Sequence, residues 1–423
     1  MFRTSVMVTG ARLGGALVAI ATQVLLARLA GAEALGAYYL TLALIALLAM
    51  LSGLGLPWIT PATVAEAESA GDGHRVATFF SWARRDILLA AMAVSGLAAF
   101  IVLTPWIDDG LRLPLLIGAA SVPAAALMRM NGAMANARKR FTLAYLPELV
   151  IRPVLVFLVA GLFWLADMHI AVWALLIANL VFTLALSSGQ TFLLRRDLPD
   201  GELTDNRDDA RRDYRERRRQ ALPMVAATLF ITIFADLDIL IVGLFMKPEE
   251  LGVFAAALRI TMFLAFFIQA AHQIIMRDTA DALREENHAA LSRLIGRTNS
   301  FNLAVSVAAL IGTMLFGKMV LGIFGPAFTQ GYVALVILVG AQVVRAAAGP
   351  GIQLLTIAGH TRSSVPVFAV STAALLAGNA VLIPAFGMAG AAVAVLGVTM
   401  LWTVWIGALA NARTGVANLL HLR

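Results

Sequence analysis

Five arginines lie inside strongly apolar segments of this 423-residue chain. Placing one charge at the centre of a membrane-spanning helix costs about 2.5–3.5 kcal/mol, so these side chains are expected to face protein or water rather than lipid. Guanidinium groups form paired hydrogen bonds with phosphate and carboxylate oxygens. We therefore predict that Arg129, Arg259 and Arg345 bind an anionic substrate. Arg28 lies near the end of its segment. Its side chain could equally extend to the membrane surface instead of facing a substrate cavity.

Three acidic residues share these apolar segments. Glu148 lies four positions before Arg152, the spacing at which opposite charges pair on one helix face. Asp236 and Asp238 point about 200° apart on a helix, so both can face one cavity only where the helix is unwound. A buried carboxylate takes up a proton more readily than an exposed one. We therefore predict that Asp236 or Asp238 couples substrate movement to H+ or Na+, and expect no other cofactor.

Helix-breaking residues flank two of the arginines. Arg345 comes shortly before Gly349-Pro350-Gly351, and Arg129 follows Pro123. Proline removes a helical hydrogen bond and glycine is a poor helix former. Interrupted helices at matching positions in two halves of a chain are typical of transporter binding sites. We therefore predict hinges at Pro123 and at Gly349, Pro350 and Gly351.

The composition places the chain in a membrane. Hydrophobic residues make up 60% of it and charged residues 13%, against about 25% charged in ordinary soluble proteins. This excludes a soluble globular enzyme and a disordered chain. A helix needs roughly 20 apolar residues to span a bilayer, and twelve segments fit. The predicted spans are Leu13–Leu29, Leu35–Leu56, Ala83–Trp106, Leu113–Met134, Leu143–Leu165, Ile170–Leu194, Leu222–Met246, Leu251–Met276, Phe301–Phe324, Tyr332–Ile357, Val365–Phe386 and Met388–Leu409.

The basic residues predict the orientation of these spans. An even number of spans puts both termini on one side, and 24 of the 32 lysines and arginines fall on that side. Basic loops stay in the cytoplasm, so we predict a multi-pass protein of the bacterial inner membrane with both termini cytoplasmic. The same bias accounts for the net charge of +7. Membrane lipids are therefore expected as partners, and nucleic acid is not.

An internal repeat divides the spans into two halves. Glu33-Ala34-Leu35-Gly36 resembles Glu249-Glu250-Leu251-Gly252, which follows 216 positions later. Between the halves, residues 195–220 form a run of mixed charge that is typical of a solvated, flexible linker. We predict an all-α protein with six-helix lobes at residues 1–194 and 221–423. Six spans per repeat relate the lobes by a pseudo-two-fold axis along the membrane normal.

Motifs for enzyme chemistry are missing from the sequence. It contains no nucleotide-binding P-loop, no H-E-x-x-H zinc motif and no G-x-S-x-G serine nucleophile motif. Its six histidines have no metal-ligand spacing, and it contains no cysteine. We therefore predict a secondary transporter without catalytic or metal-binding residues.

Several short motifs, taken in order, resemble one membrane family. The run from Gln23 to Gly31 with the following Leu35-Gly36-Ala37-Tyr38 is similar to the first hairpin of bacterial polysaccharide flippases. These proteins belong to the multidrug/oligosaccharidyl-lipid/polysaccharide (MOP) exporter superfamily. Further resemblances cover residues 238–243, 251–257, 324–326, 359–362 and 383–392.

The resemblance implies a V-shaped transporter of twelve helices. It implies a polyprenyl-diphosphate-linked oligosaccharide as substrate, moved from the cytoplasmic to the outer leaflet by alternating access for surface polysaccharides such as O-antigen. Polysaccharide polymerase machinery is then an expected partner. Arg28 and Asp238 match motif positions and are assigned to substrate binding and ion coupling on that basis.

Two other functions compete with this hypothesis. A cation-coupled multidrug or toxin extruder of the same superfamily would export organic cations and needs an acidic cavity, whereas intramembrane arginines outnumber acids here. A membrane glycan polymerase or ligase needs a large outer loop with catalytic polar residues, and the predicted outer loops are short. Both remain alternatives.

Overall fold

The chain folds into helices that form two compact units. The computed structural model describes residues 2–197, 211–219, 221, 238–275, 279, 285 and 288–415, and all regular secondary structure in these ranges is helical. The first unit comprises Met1–Leu229 and the second Phe230–Arg423. Asp236, one of the two predicted ion-coupling residues, lies outside the described residues.

The first unit is built around the helix Asp109–Ala137, which packs on Phe2–Ser52, Gly73–Val102 and Val172–Arg195. Besides these four helices and residues 211–219, its elements are Leu56–Ser69, Phe141–Leu146, the π-helical turn Pro147–Ile151 and Arg152–Leu165.

The second unit combines long helices with short helical turns. Its described elements are residues 238–243, Pro248–Ile274, His288–Gly322, the 3-10 turn Pro326–Gly331, Tyr332–Ala348, Gly351–Ile357, the 3-10 turn Thr361–Ser364 and Val365–Thr414.

Glycines divide the two longest helices into pairs. Phe2–Ser52 is interrupted at Gly31, with φ 84°, and Val365–Thr414 at Gly387, with φ 54°. A positive φ is easy only for glycine, so each element is two helices joined by a sharp turn. The predicted division of each of these two segments into a pair of helices is confirmed.

The helices are long and apolar enough for a multi-pass membrane protein. Among the described residues, eight helical segments qualify as candidate spans, and two of these contain the glycine-divided pairs. The predicted seventh span, Leu222–Met246, lies mostly outside the described residues. The all-α membrane architecture is confirmed, while the number twelve stays a prediction.

The predicted interruptions differ between the two units. The helix ending at Ala348 is broken at Gly349, with φ 73°, before a short helix resumes at Gly351. The break predicted at Pro123 is wrong, because Asp109–Ala137 continues through it as one helix. Proline cannot donate to the carbonyl four residues earlier. That carbonyl, of Ala119, instead accepts a hydrogen bond from the Ser95 hydroxyl at 2.8 Å, which supports an unbroken helix.

Part of the charged linker forms a helix that is anchored on the first unit. Residues 211–219, named here the linker helix, are helical and pack on the first unit. The Tyr214 ring is only 7% exposed. It makes edge-on contacts with Phe79 and Trp82 at centroid distances of 6.1 and 5.4 Å. Its hydroxyl donates to Asp86 at 3.0 Å. The predicted flexibility is therefore wrong for this helix. The buried aromatic residue Tyr214, which lies within an otherwise strongly charged sequence, fixes it to the first unit.

Ion pairs hold the linker helix beside that anchor. Asp213 accepts hydrogen bonds from Arg75 at 2.8 Å and Arg217 at 3.0 Å, and Arg217 donates to Glu66 at 2.9 Å. Arg217 lowers the pKa of Glu66. Burial alone would raise the pKa of Asp213, but its two arginine partners lower it overall. Carboxylates with lowered pKa values stabilise the folded state above their usual range, and that contribution is lost as the pH falls through the lowered values.

Replacing Tyr214 by alanine should release the linker helix. The substitution removes two ring contacts and a hydrogen bond, and truncating a buried aromatic residue costs about 3–5 kcal/mol. We expect limited trypsin digestion, followed by mass spectrometry, to show faster cleavage after Arg215 and Arg219. Tyr214→Phe keeps the ring and should be cleaved much more slowly than Tyr214→Ala. Equal cleavage of Tyr214→Ala and the wild-type protein would show that the ring does not anchor the helix.

Candidate functional site

The first unit contains a cavity of about 320 Å³, named here the first cavity. Its walls come from residues 49–58, 129–136 and 144–148. These segments lie next to the basic loop Arg138-Lys139-Arg140 and at the end of the unit where the linker helix packs. Most of the lining is apolar or glycine, and a few polar side chains converge on it. This combination is typical of a ligand-binding site.

Arg129 is the one basic side chain among the described residues that lines the first cavity. It is half-buried, and among the described residues no hydrogen bond or ion pair engages its guanidinium group. Its helix is held in place by Asn131, whose amide donates to the Ser187 carbonyl at 2.9 Å and the Thr191 hydroxyl at 3.0 Å. The cavity therefore presents a positioned cation with unused hydrogen-bond donors.

Glu148 lines the same cavity from a π-helical turn. Pro147–Ile151 forms this turn, and such turns occur frequently at functional sites. The wider turn changes the alignment of side chains four residues apart. In the described structure Glu148 and Arg152 accordingly form no ion pair, so the predicted pairing is wrong.

A close helix contact accompanies the π-turn. Pro153 has no N–H to donate to the carbonyl of Leu149, four residues earlier. That carbonyl lies against Gly15 of the first helix, where an added Cβ would be only 1.6 Å from the oxygen. Gly15 therefore lets the first helix approach the turn that carries Glu148.

Aromatic and amide groups complete the first cavity. Trp58 lies at its edge with 54% of its surface exposed, and Asn136 and Tyr145 also line it. Exposed aromatic rings stack on the apolar faces of sugar rings, while amide and hydroxyl groups bind sugar hydroxyls. The cavity lining thus combines a group that can bind an anion with groups that can bind a sugar ring. Composition reveals none of these neighbours, because they come from three separate segments.

A smaller cavity of about 40 Å³ lies in the second unit, named here the second cavity. Arg345 and Gln353 line it on the two sides of the break at Gly349. The Arg345 guanidinium lies over the Trp402 ring, 5.8 Å from its centroid. Stacking on a tryptophan face stabilises a guanidinium group away from water. No carboxylate forms an ion pair with Arg345 within the described ranges.

The two cavities use equivalent positions of the repeat. Arg129 and Arg345 are 216 positions apart, the offset that also relates Glu33 to Glu249. At the same offset, three further residues of the first cavity match residues of the second. These pairs are Gly132 with Ala348, Ala133 with Gly349, and Asn136 with Ile352. Applying the offset of 216 positions to Arg129 identifies Arg345 as its counterpart from the sequence alone.

Three other predicted site residues line neither cavity. Arg28 is exposed. Arg259 is half-buried and its Nη1 donates to the Met262 sulfur at 3.4 Å. Asp238 is 7% exposed at the start of the helical residues 238–243. Of the predicted binding residues, Arg129 and Arg345 are therefore the two that line these cavities.

Comparisons with known proteins agree with the motif resemblance. The sequence profile of the family described as "Polysaccharide biosynthesis protein" matches residues 2–275. The "Probable low-salt glycan biosynthesis flippase Agl15" of Haloferax volcanii is 26% identical over 165 residues, which are 38% of this chain. The chain aligns with 34% of the length of that relative.

Solved structures share the fold at low sequence identity. A structure described as "Lipid II flippase MurJ, inward closed conformation" matches with a TM-score of 0.75 at 12% identity, covering 95% of this chain and 86% of that one. An inward-facing "multidrug resistance MATE family transporter of the MOP superfamily" matches with a TM-score of 0.74 at 15% identity, covering 96% and 98%. Since the family profile covers more than half of the residues, the chain belongs to the polysaccharide biosynthesis protein family and has the fold of MOP-superfamily transporters.

Proposed function

We propose that this protein is a lipid-linked oligosaccharide flippase. In this proposal it moves polyprenyl-diphosphate-linked glycans across the bacterial inner membrane, from the cytoplasmic to the outer leaflet. The observation that carries the proposal is the half-buried Arg129 guanidinium, which has no partner among the described residues and shares a cavity with Trp58, Asn136 and Tyr145. These are the groups that a diphosphate joined to a sugar requires.

Binding begins with the diphosphate. Arg129 replaces part of its hydration through charge-assisted hydrogen bonds, while Asn136 and Tyr145 bind sugar hydroxyls and Trp58 stacks on a sugar ring. The polyprenyl chain stays in the surrounding lipid, because the hydrocarbon of the bilayer already keeps its apolar surface away from water. With both termini cytoplasmic, the first cavity opens toward the cytoplasmic leaflet, where the substrate arrives.

Movement follows the alternating-access scheme of repeat-built transporters. The two repeats, residues 1–194 and 221–423, change their mutual arrangement, and the helix break at Gly349, Pro350 and Gly351 serves as a hinge. Arg345 receives the anionic group in the second half. Arg28 and Arg259 contribute positive charge along the route, and Asp236 or Asp238 couples the cycle to H+ or Na+. A polysaccharide polymerase then uses the delivered glycan.

A strain lacking this protein provides the test. We expect lipid-linked oligosaccharide to accumulate on the cytoplasmic face of the membrane, surface polysaccharide to be lost, and a plasmid copy of the gene to restore both. Mass spectrometry of the accumulated lipid would identify the glycan. Unchanged glycan together with increased sensitivity to cationic drugs would contradict the proposal and favour the multidrug extruder.

A further inference from the structure

We propose that Arg84 and Arg195, named here the interfacial arginine pair, bind the headgroup phosphate of an anionic phospholipid. The site lies on the outer surface of the first unit, at the end of its spans that the basic residues predict to be cytoplasmic. The ligand is a lipid of net negative charge, such as phosphatidylglycerol, whose acyl chains lie against the neighbouring helices. The inference is independent of the proposed function, because neither arginine lines the first cavity.

Both arginines lie where an apolar span meets the headgroup region. Arg84 is the second residue of the predicted span 83–106, and Arg195 directly follows the predicted span 170–194. On the membrane side, each shares a helix face with a large apolar side chain, Leu88 four positions after Arg84 and Phe192 three positions before Arg195. These apolar side chains are 37% and 67% exposed. A lipid therefore finds contacts for its phosphate directly beside contacts for its acyl chains.

The two arginines are close enough for their positive charges to repel each other. The helices that carry them meet in one buried apolar cluster, which includes Phe80, Ala83 and Leu194. Two like charges at short distance destabilise a structure when no anion lies beside them. A phosphate group accepts hydrogen bonds from two guanidinium groups at once. Its binding therefore stabilises this arrangement.

The carboxylates that are nearest along the chain are engaged by other residues. Asp86 and Asp197 each follow a member of the interfacial arginine pair by two positions. Asp86 accepts hydrogen bonds from the Tyr214 hydroxyl at 3.0 Å and from Arg218 at 2.9 Å. Asp197 forms an ion pair with Arg140. Within the part of the chain that the structure describes, no carboxylate pairs with either arginine of the interfacial pair, so their charge is unbalanced there.

Arg84 is held in place and does not simply extend into water. Its guanidinium group lies over the buried Phe80 ring, 5.4 Å from the ring centroid. Its Nε atom is buried and has no hydrogen-bond partner among the described residues. An arginine that only reached for the membrane surface would keep its whole charged end in contact with water or headgroups. The fixed, half-buried guanidinium group instead indicates a preformed site for one anion.

Native mass spectrometry of the full-length protein in neutral detergent tests the proposal by counting single bound lipids. The probes are phosphatidylglycerol and the zwitterionic phosphatidylethanolamine with identical acyl chains. We expect wild-type protein to bind phosphatidylglycerol more tightly. Each arginine beside an anionic lipid contributes about fivefold in affinity. The double variant Arg84→Gln/Arg195→Gln should therefore bind phosphatidylglycerol about thirtyfold more weakly and lose the preference for it.

A second double variant serves as the matched control. Arg85→Gln/Arg196→Gln removes the same charge from adjacent, exposed positions of the same two helices, and it should bind phosphatidylglycerol like wild type. Arg195→Gln alone changes an exposed side chain and should weaken binding about fivefold. This single variant decides the question even if the first double variant fails to fold, which circular dichroism reveals.

Three results would contradict the proposal. Equal losses in the two double variants would mean that binding follows total charge and not this site. Displacement of phosphatidylglycerol by an equal concentration of glycerophosphoglycerol, its headgroup without acyl chains, would indicate a site for free phosphate esters. Displacement by an equal concentration of a farnesyl-diphosphate-linked monosaccharide would assign the arginines to the transported lipid. None of these results bears on Arg129, whose variants test the proposed function separately.

Discussion

Replacing Arg129 by glutamine is expected to reduce glycan flipping about a hundredfold while leaving folded protein in the membrane. Glutamine removes the positive charge and the paired donors that hold a phosphate. Hydrogen bonds to charged groups contribute about 1.5–3 kcal/mol each, and about 2.8 kcal/mol corresponds to a hundredfold in affinity. Because the guanidinium group has no partner among the described residues, removing it breaks no ion pair there. Flipping is measured from the transbilayer distribution of the lipid-linked oligosaccharide.

Two further variants make this result specific. Arg129→Lys keeps the charge but not the planar pair of donors, so it should restore only part of the activity. Arg413→Gln removes an exposed arginine at the end of the last helix and should flip at the wild-type rate. If Arg129→Gln also flips normally, the first cavity is not the anion site.

Replacing Arg345 by glutamine should also reduce export strongly. Arg345 lies over Trp402 next to the break at Gly349, and a desolvated cation over an aromatic ring is stabilised by about 2 kcal/mol. The residue therefore holds its charge in a mostly apolar setting, a cost that a purely structural position does not require. We expect at least a tenfold loss of surface polysaccharide export with unchanged protein abundance, measured in a complemented deletion strain.

Changes at Trp402 test how Arg345 is held. Trp402→Phe keeps an aromatic face for the guanidinium group and should reduce export only slightly. Trp402→Leu removes that face and should reduce export further. Normal export by Arg345→Gln would contradict a substrate-binding role for the second cavity.

The sequence predicted most of the architecture because membrane helices follow from simple rules. Long apolar runs must satisfy their backbone groups internally, so the spans were recognisable. The turns at Gly31 and Gly387 and the break before Gly351 were recognisable from glycine and proline. Pro123 did not break its helix because a residue from another helix, Ser95, occupies the freed carbonyl. Such compensation depends on three-dimensional neighbours that the linear sequence does not show.

The candidate site was predicted only in part for a related reason. The cost of burying charge identified Arg129 and Arg345, but it gave no information about which residues meet across a cavity. Glu148 was misinterpreted because the spacing rule assumes a regular α-helix and the chain forms a π-turn there. Tyr214 was hidden inside a strongly charged segment. Its burial depends on Phe79 and Trp82, which are more than 130 positions earlier in the chain.

The decisive experiment on transport uses the purified protein in sealed lipid vesicles. A fluorescent farnesyl-diphosphate-linked monosaccharide is placed in both leaflets, and a membrane-impermeant quencher reports the fraction that reaches the outer one. We expect nearly complete quenching with the wild-type protein. With Arg129→Gln, quenching beyond half should proceed about a hundredfold more slowly, and with vesicles that lack protein it should stop at about half. If the wild-type protein also stops at half, while verified as folded and correctly inserted, this chain does not itself move an anionic glycan lipid.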